Sequence, residues 1–379
     1  MAWNFFRREK KALPSARGAD EGGERRLVSL PAQDTRAAID ELSQVVRNNS
    51  EAVEIYLALG SLYRSQGEIE RAIQIRHNLI VRPGLDPRFK ARAYYELGRD
   101  FRRGGFLDRA AQALEQARIL GGDPEGIAAE QAVLAAQRGD FALAAERYGE
   151  LGRPLPQAHY LVRLAQEAFA ARDTSQGHKL VKQALRVYPA SVEAWLERLV
   201  QAHAGGRHED FGRALREGLA AVEPGLRFVL LEGLMESATG CTVKSCDLPA
   251  GDRPPVDPDL GQEVVGVVEA MKPDTLLCYY AARVLFLSGE TTLARSWFER
   301  TLMMDQDFWL ARLELFGLSK NEQTLTPFFA EQFDYFLTLA HQVKRFVCNR
   351  CGLRWDRLFF HCPRCQSWHS ISFRAKLTQ

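Results

Sequence analysis

Four cysteines near the C-terminus form the residue pattern with the clearest chemistry. Cys348 and Cys351 make one Cys-x-x-Cys pair, Cys362 and Cys365 make a second, and ten residues separate them. A thiolate is a soft anionic donor, and four of them can enclose one ion tetrahedrally, at roughly 2.3 Å for zinc. Each pair is short enough for a tight turn whose backbone N–H groups point at the sulfurs, and Gly352 supplies permissive backbone after the first. The expected metal ligands are therefore Cys348, Cys351, Cys362 and Cys365. Four thiolates leave no open coordination position, so the site reads as structural; sulfur ligands in a tetrahedron suit zinc or iron. His361 and His369 flank the site. The cysteines already suffice, so both histidines are read as packing or surface residues. Phe346, Trp355, Phe359, Phe360 and Trp368 are expected to shield the ion and replace the core that so small a module lacks.

Seven cysteines in 379 residues are too few for a disulfide scaffold and odd in number, which points to a reducing compartment. Cys241 and Cys246 are spaced too widely for a redox pair and lack neighbouring partners for a metal site; Cys278 lies in an apolar stretch and reads as a small core residue. There is no phosphate-cradling glycine loop, no His-Glu-x-x-His and no nucleophile elbow, so no catalytic residue is expected and the chain is read as a non-enzyme.

The elements that must position this site are helical and repeated. Tyr56, Leu59, Gly60, Tyr63, Gly67 and Ala72 recur at the same offsets as Tyr94, Leu97, Gly98, Phe101, Gly105 and Ala110. This is the helix–turn–helix pattern of the tetratricopeptide repeat. The small residue of each second helix falls at Ala38, Ala72, Ala110, Ala144 and Gly177, degenerates to Phe211 and returns at Ala294. Pro83, Pro124, Pro189 and Pro224 are placed near the close of a unit. The spacing predicts a first helix from Thr35, capped by Asp34, then hairpins through residue 237. Residues 238–262, with four prolines, read as an irregular insertion. Hairpins resume at 263, with helices over Thr275–Ser288, Thr291–Met303 and Phe308–Leu318. A long aromatic helix over Thr326–Val343 is expected to cap the array with its aromatics in the core. The metal module occupies 344–379. The fold class is an all-α solenoid of tetratricopeptide repeats with a small C-terminal β module of rubredoxin-like or zinc-ribbon type. Such a stack offers an extended concave surface for protein clients.

Charge is unevenly spread. Residues 1–26 hold seven Lys/Arg and four Asp/Glu, and residues 341–379 hold eight against one. With a net charge of +2 overall, the body between is acidic by about eight charges, so the basic tail can dock on it or attract a second partner. A basic tail with interleaved aromatics is also what a nucleic-acid-binding zinc ribbon carries. A sulfur-ligated iron would instead make the tail an electron carrier. No apolar stretch is long enough to span a bilayer. Residues 1–33 read as a disordered or membrane-interfacial leader, in which Trp3, Phe5, Phe6 and the basic residues up to Lys11 could lie at a lipid surface.

Repeats and cysteines together resemble the lipopolysaccharide assembly protein B family, tetratricopeptide proteins with a C-terminal rubredoxin-type metal-binding domain. The matching stretches are Leu59–Ile73, Leu97–Ala110 and the tail Cys348-x-x-Cys351-Gly352 … His361-Cys362-Pro363-x-Cys365-x-x-Trp368. The resemblance implies that the four cysteines are the ligands. It implies a non-enzymatic adaptor on the cytoplasmic face of the inner membrane, regulating lipopolysaccharide synthesis by bringing the lipid A pathway deacetylase to a membrane-anchored AAA+ protease. It also implies a metal module packed on the repeats. The family begins with a membrane-spanning helix, whereas Met1–Lys11 is too short to span; a cytoplasmic protein, at most peripheral on the membrane, is the expectation.

Overall fold

A computed structural model of the chain describes Ile39 and residues 53–239, 257–320 and 324–375. The leader, the helix expected from Thr35, Cys241 and Cys246 lie outside these residues. Sixteen helices are described. They pair as α1 (Val53–Gln66) with α2 (Ile69–Ile80), α3 (Pro87–Arg103) with α4 (Leu107–Ile119), and α5 (Pro124–Gln137) with α6 (Phe141–Glu150). The pairs continue as α7 (Pro154–Ala170) with α8 (Thr174–Val187) and α9 (Val192–Ala204) with α10 (His208–Ala221). Then come α11 (Arg227–Thr239), α12 (Pro258–Ala270), α13 (Thr275–Leu287), α14 (Thr291–Met304), α15 (Trp309–Lys320) and α16 (Pro327–His341). The ends of the interval 238–262 are thus helical: α11 runs through Thr239, and α12 starts at Pro258.

Local chemistry sets the boundaries. Asp86, Asp123, Asp140, Asp173, Ser191 and Asp274 each accept a hydrogen bond from an amide in the first turn of the following helix. Gly67, Gly105, Gly139, Gly206 and Gly289 hold positive φ at the hairpin turns, where a Cβ would be strained; Arg172 takes that conformation between α7 and α8. Pro124 opens α5 instead of closing the unit before it, because its missing N–H is harmless in a first turn.

Small residues let paired helices approach. Ala72, Ala110 and Ala144 are fully buried. A Cβ on Gly60 would lie 2.7 Å from the Arg76 guanidinium. That guanidinium is itself buried beneath α1, bonded to the Leu57 carbonyl at 2.7 Å and to Asp100 of the next hairpin at 3.3 Å, while Arg64 reaches Asp100 at 2.7 Å. The degenerate unit keeps the frame: Phe211 is buried in α10, and smallness moves to Gly218, which packs on Trp195.

The tail forms a three-stranded antiparallel sheet, ordered β2 (Arg354–Trp355), β1 (Phe346–Cys348), β3 (Ile371–Phe373). One buried cluster runs from Val192 and Trp195 through Phe228, Tyr280 and Phe298 into Phe346, Phe359 and Ile371. The sheet module therefore shares a core with the last repeats. The capping helix departs from expectation. Phe328, Phe329, Tyr335 and Phe336 of α16 are exposed; the helix meets the array through the side that carries Ala330, Phe333, Leu337 and Ala340, and Phe329 stacks on Phe333 at the margin of that contact.

Candidate metal centre

Two equivalent turns bring the cysteines together. Cys348 N–H donates to the Leu353 carbonyl and Gly352 N–H to the Cys348 carbonyl, each at 2.9 Å. In the second turn Cys362 N–H donates to the Ser367 carbonyl and Gln366 N–H to the Cys362 carbonyl, again at 2.9 Å. The residue after each pair needs left-handed backbone: Gly352 has φ +67° and Gln366 φ +57°. The two knuckles are the same structure, built once with glycine and once without it.

The four sulfurs lie within 4.8 Å of one another. Cys348 to Cys365 is 3.6 Å and Cys351 to Cys362 is 3.7 Å. A tetrahedron with roughly 2.3 Å bonds has an edge of roughly 3.8 Å, so this spacing suits one ion at the centre and is far too long for disulfides. Burial raises the Cys348 thiol, but the Ser370 hydroxyl, the amides of Cys351 and Arg350 and the Ser367 hydroxyl outweigh it and bring it down to about 6. Cys365 is lowered in the same way against burial, chiefly by Ser367. Burial pushes Cys351 and Cys362 up, to which neighbouring thiols add. Cys348 is thus set up as a thiolate, and an ion bound at the centre would draw the remaining thiol protons.

The expected shield is partly present. Phe346 and Phe359 are buried, whereas Trp355 sits exposed on the edge strand. Trp368 stacks on His361 at 4.4 Å and meets His159 and Tyr160 of α7 in edge contacts at 4.9 and 6.1 Å.

Sequence reasoning missed the seat of the module. His369 Nε2 lies 2.8 Å from Oε2 of Glu193 in α9, and His159 Nδ1 lies 3.2 Å from Oε1 of the same carboxylate. Burial would raise Glu193, but these two hydrogen bonds and the imidazoles' charge hold it at about 2. Farther along, Phe346 stacks on Phe228 of α11, and Phe373 packs on Phe228, Tyr280 of α13 and Phe308. All these partners lie on, or just before, the first helices of their units. His159 and Glu193 occupy one frame position, eighteen residues before the small residue of their units, Gly177 and Phe211. That equivalence was the available signal, since the same count back from Ala72 and Ala110 gives Glu54 and Arg92. Those two pair with each other at 2.8 Å and remain open to solvent.

The repeats and the cysteine-bearing sheet define a tetratricopeptide-repeat protein with a C-terminal four-thiol module. The tetratricopeptide repeat family model matches residues 31–75, 95–158 and 162–224. Curated homologues carry the name lipopolysaccharide assembly protein B: the Escherichia coli K12 protein is 24% identical over 356 residues, covering 88% of this chain and 84% of its own. The Haemophilus influenzae protein is 39% identical over 70 residues, 18% of this chain and 17% of its own. Among solved structures, a tetratricopeptide repeat protein from Parabacteroides merdae aligns at 15% identity and TM-score 0.36, covering 70% of this chain and 98% of that one. YrrB, described as a TPR protein with an unusual peptide-binding site, aligns at 14% identity and TM-score 0.33, covering 48% and 93%. The helix pairing itself, and not these loose superpositions, carries the fold.

Proposed function

We propose that the protein is a non-enzymatic adaptor whose first-helix face holds polypeptides, and that it presents a lipid A pathway deacetylase to a membrane AAA+ protease in the manner of lipopolysaccharide assembly protein B. The carrying observation is that this face already holds one polypeptide, the chain's own metal module, over α7 to α13. The same face continues past the module along α5, α3 and α1. Glu54 and Arg92 there occupy the positions that His159 and Glu193 use to grip the tail. The repeats support protein partners, and the name of the curated homologues supports a role in lipopolysaccharide assembly.

Cys348, Cys351, Cys362 and Cys365 hold one zinc or iron ion in this reading, and the ion folds the module that closes one end of the face. Residues 344–379 act as that module, and 34–237 and 263–343 as the array on either side of the 238–262 insertion. No helix among the described residues is long and apolar enough to cross a membrane. Pull-down of the deacetylase and the protease by the wild type and by Glu54→Arg/Arg92→Glu tests the assignment. Loss of the deacetylase with unchanged helix content is expected. Equal capture by both proteins overturns the role of this face. Metal analysis of the protein from its own host identifies the ion.

A further inference from the structure

Helix α8 carries charge of one sign. His178, Lys179, Lys182 and Arg186 are all exposed on it, and no acidic residue falls between Thr174 and Val187. Beside it lies a cavity of about 360 Å³ shared by α8, α9 and α10. Val181, Leu185 and Ala202 give the cavity an apolar floor, with Val181 and Ala202 buried. His178, Lys182, Arg198 and Arg207 line the rest of it, with one acid, Asp210. Local contacts hold three of these groups in place. Arg198 lies over the Trp195 ring at 5.0 Å and is tied to Glu217 at 2.9 Å. Arg207 Nη2 donates to the Gln201 carbonyl at 3.2 Å, and the His178 ring meets Phe169 at 5.2 Å. The metal module uses none of them. Glu193, which grips the tail, precedes Arg198 by five residues on α9, roughly 140° around the helix.

We propose that this cavity binds a phosphate monoester, with the adjoining apolar part of the ligand on Val181, Leu185 and Ala202. Charge selects the ligand. Lys182, Arg198 and Arg207 against Asp210 leave three minus one, or two, positive charges in the lining when His178 is neutral. A phosphate monoester carries about −1.5 to −2 at neutral pH and matches that balance, whereas a lone carboxylate leaves a cation unmatched. Arginine forks take phosphate oxygens in pairs, and the Lys182 ammonium serves as a point charge. Size agrees. Small-molecule sites run from about 300 to 1,000 Å³, and this cavity falls at the lower end, too small for a folded partner. A bare inorganic anion would leave the apolar floor uncovered. The site uses neither the client stretch at Glu54 and Arg92 nor the seat of the module, so its failure and that of the adaptor reading are separate results.

Isothermal titration of the full chain with phenyl phosphate tests the site. Saturable one-to-one binding is expected, at least about threefold tighter than inorganic phosphate and about tenfold tighter than benzoate. Lys182→Gln/Arg207→Gln changes two exposed residues and is expected to weaken phenyl phosphate about tenfold or more with the same circular dichroism. Arg88→Gln/Arg103→Gln removes the same charge from exposed positions on α3 and is expected to bind within about twofold of the wild type. Co-sedimentation with phosphatidic acid and phosphatidylcholine vesicles separates the sources of the phosphate. Retention by phosphatidic acid alone, lost in the Lys182→Gln/Arg207→Gln variant, assigns the site to a lipid headgroup; titration without retention assigns it to a soluble ester. A wild type that shows no saturation by about 10 mM phenyl phosphate overturns the proposal. So does a charge-matched control that loses as much as the cavity variant, or a hexaglutamate peptide that binds more tightly than phenyl phosphate.

Discussion

Replacing Glu193 with glutamine should loosen the metal module from the repeats. Glu193 is 5% exposed, and its carboxylate accepts from both His159 and His369. Its carboxyl is held at about 2 against an ordinary 4.5. That difference corresponds to about 3 kcal/mol in favour of the ionised, seated state. The sign follows from the direction of the shift. A depressed carboxyl stabilises fully above its unfolded value and loses that contribution as pH falls from about 4.5 toward 2. Above about pH 4.5 the carboxylate is fully ionised and its hydrogen bonds are in place, so Glu193→Gln should be tested near neutral pH, where the thiols remain able to hold an ion. Native-state hydrogen exchange at Val347 and Ser372, which pair β1 with β3, reports opening of the module. About 3 kcal/mol predicts exchange roughly a hundredfold faster in the variant. A double-mutant cycle with His369→Gln should show a coupling of about 1–3 kcal/mol. Unchanged exchange, or fully additive effects of the two substitutions, would refute the view that this carboxylate clamps the tail.

Cys362→Ser should abolish metal binding and melt the sheet while most helix signal remains, because ion binding and folding of such a module are coupled; metal stoichiometry and far-ultraviolet circular dichroism check this. Gly60→Ala places a Cβ 2.7 Å from the Arg76 guanidinium, which is pinned by Leu57, Ser61 and Asp100 and cannot swing aside; a loss of about 1–3 kcal/mol is expected in urea unfolding. Glu236 is raised to about 7 by burial and by Glu232, against the pull of Arg283 and Arg357. A raised carboxyl costs stability as pH climbs from 4.5 to 7. Glu236→Gln should therefore stabilise the protein by about 1–2 kcal/mol at pH 8, after allowance for screening, and by little at pH 5; melting temperatures at the two pH values check this.

The repeat frame and the cysteine cluster were legible because both are local. Gly60 and Ala72 sit where two helices touch, so their spacing records the hairpin directly. The two knuckles each close within six residues, and the second needs no glycine, since Gln366 accepts left-handed backbone. The seat was not legible, because His369 and Glu193 stand 176 residues apart and neither residue type announces its partner. The aromatics of α16 misled for a different reason. With apolar residues at Phe328, Phe333, Tyr335 and Leu337, the helix is greasy on both sides, and periodicity cannot say which side the array covers.

Unequal charge gave a correct but incomplete hint of docking. The basic tail does lie on the acidic body, yet the grip is made mainly by rings: Phe346 on Phe228, Phe373 on Tyr280 and Trp368 on His159. The buried contacts decide where the tail sits. Glu193 joins the two effects, since its charge is buried and is tolerated only because two imidazoles reach it. The module then does more than end the stack. In the proposed adaptor, filling the first-helix face from α7 onward would restrict a client to the stretch that displays Glu54 and Arg92. Opening the tail would lengthen that stretch at the expense of the shared core around Phe228, so in this proposal the thiol cluster and the client surface are coupled through one set of contacts.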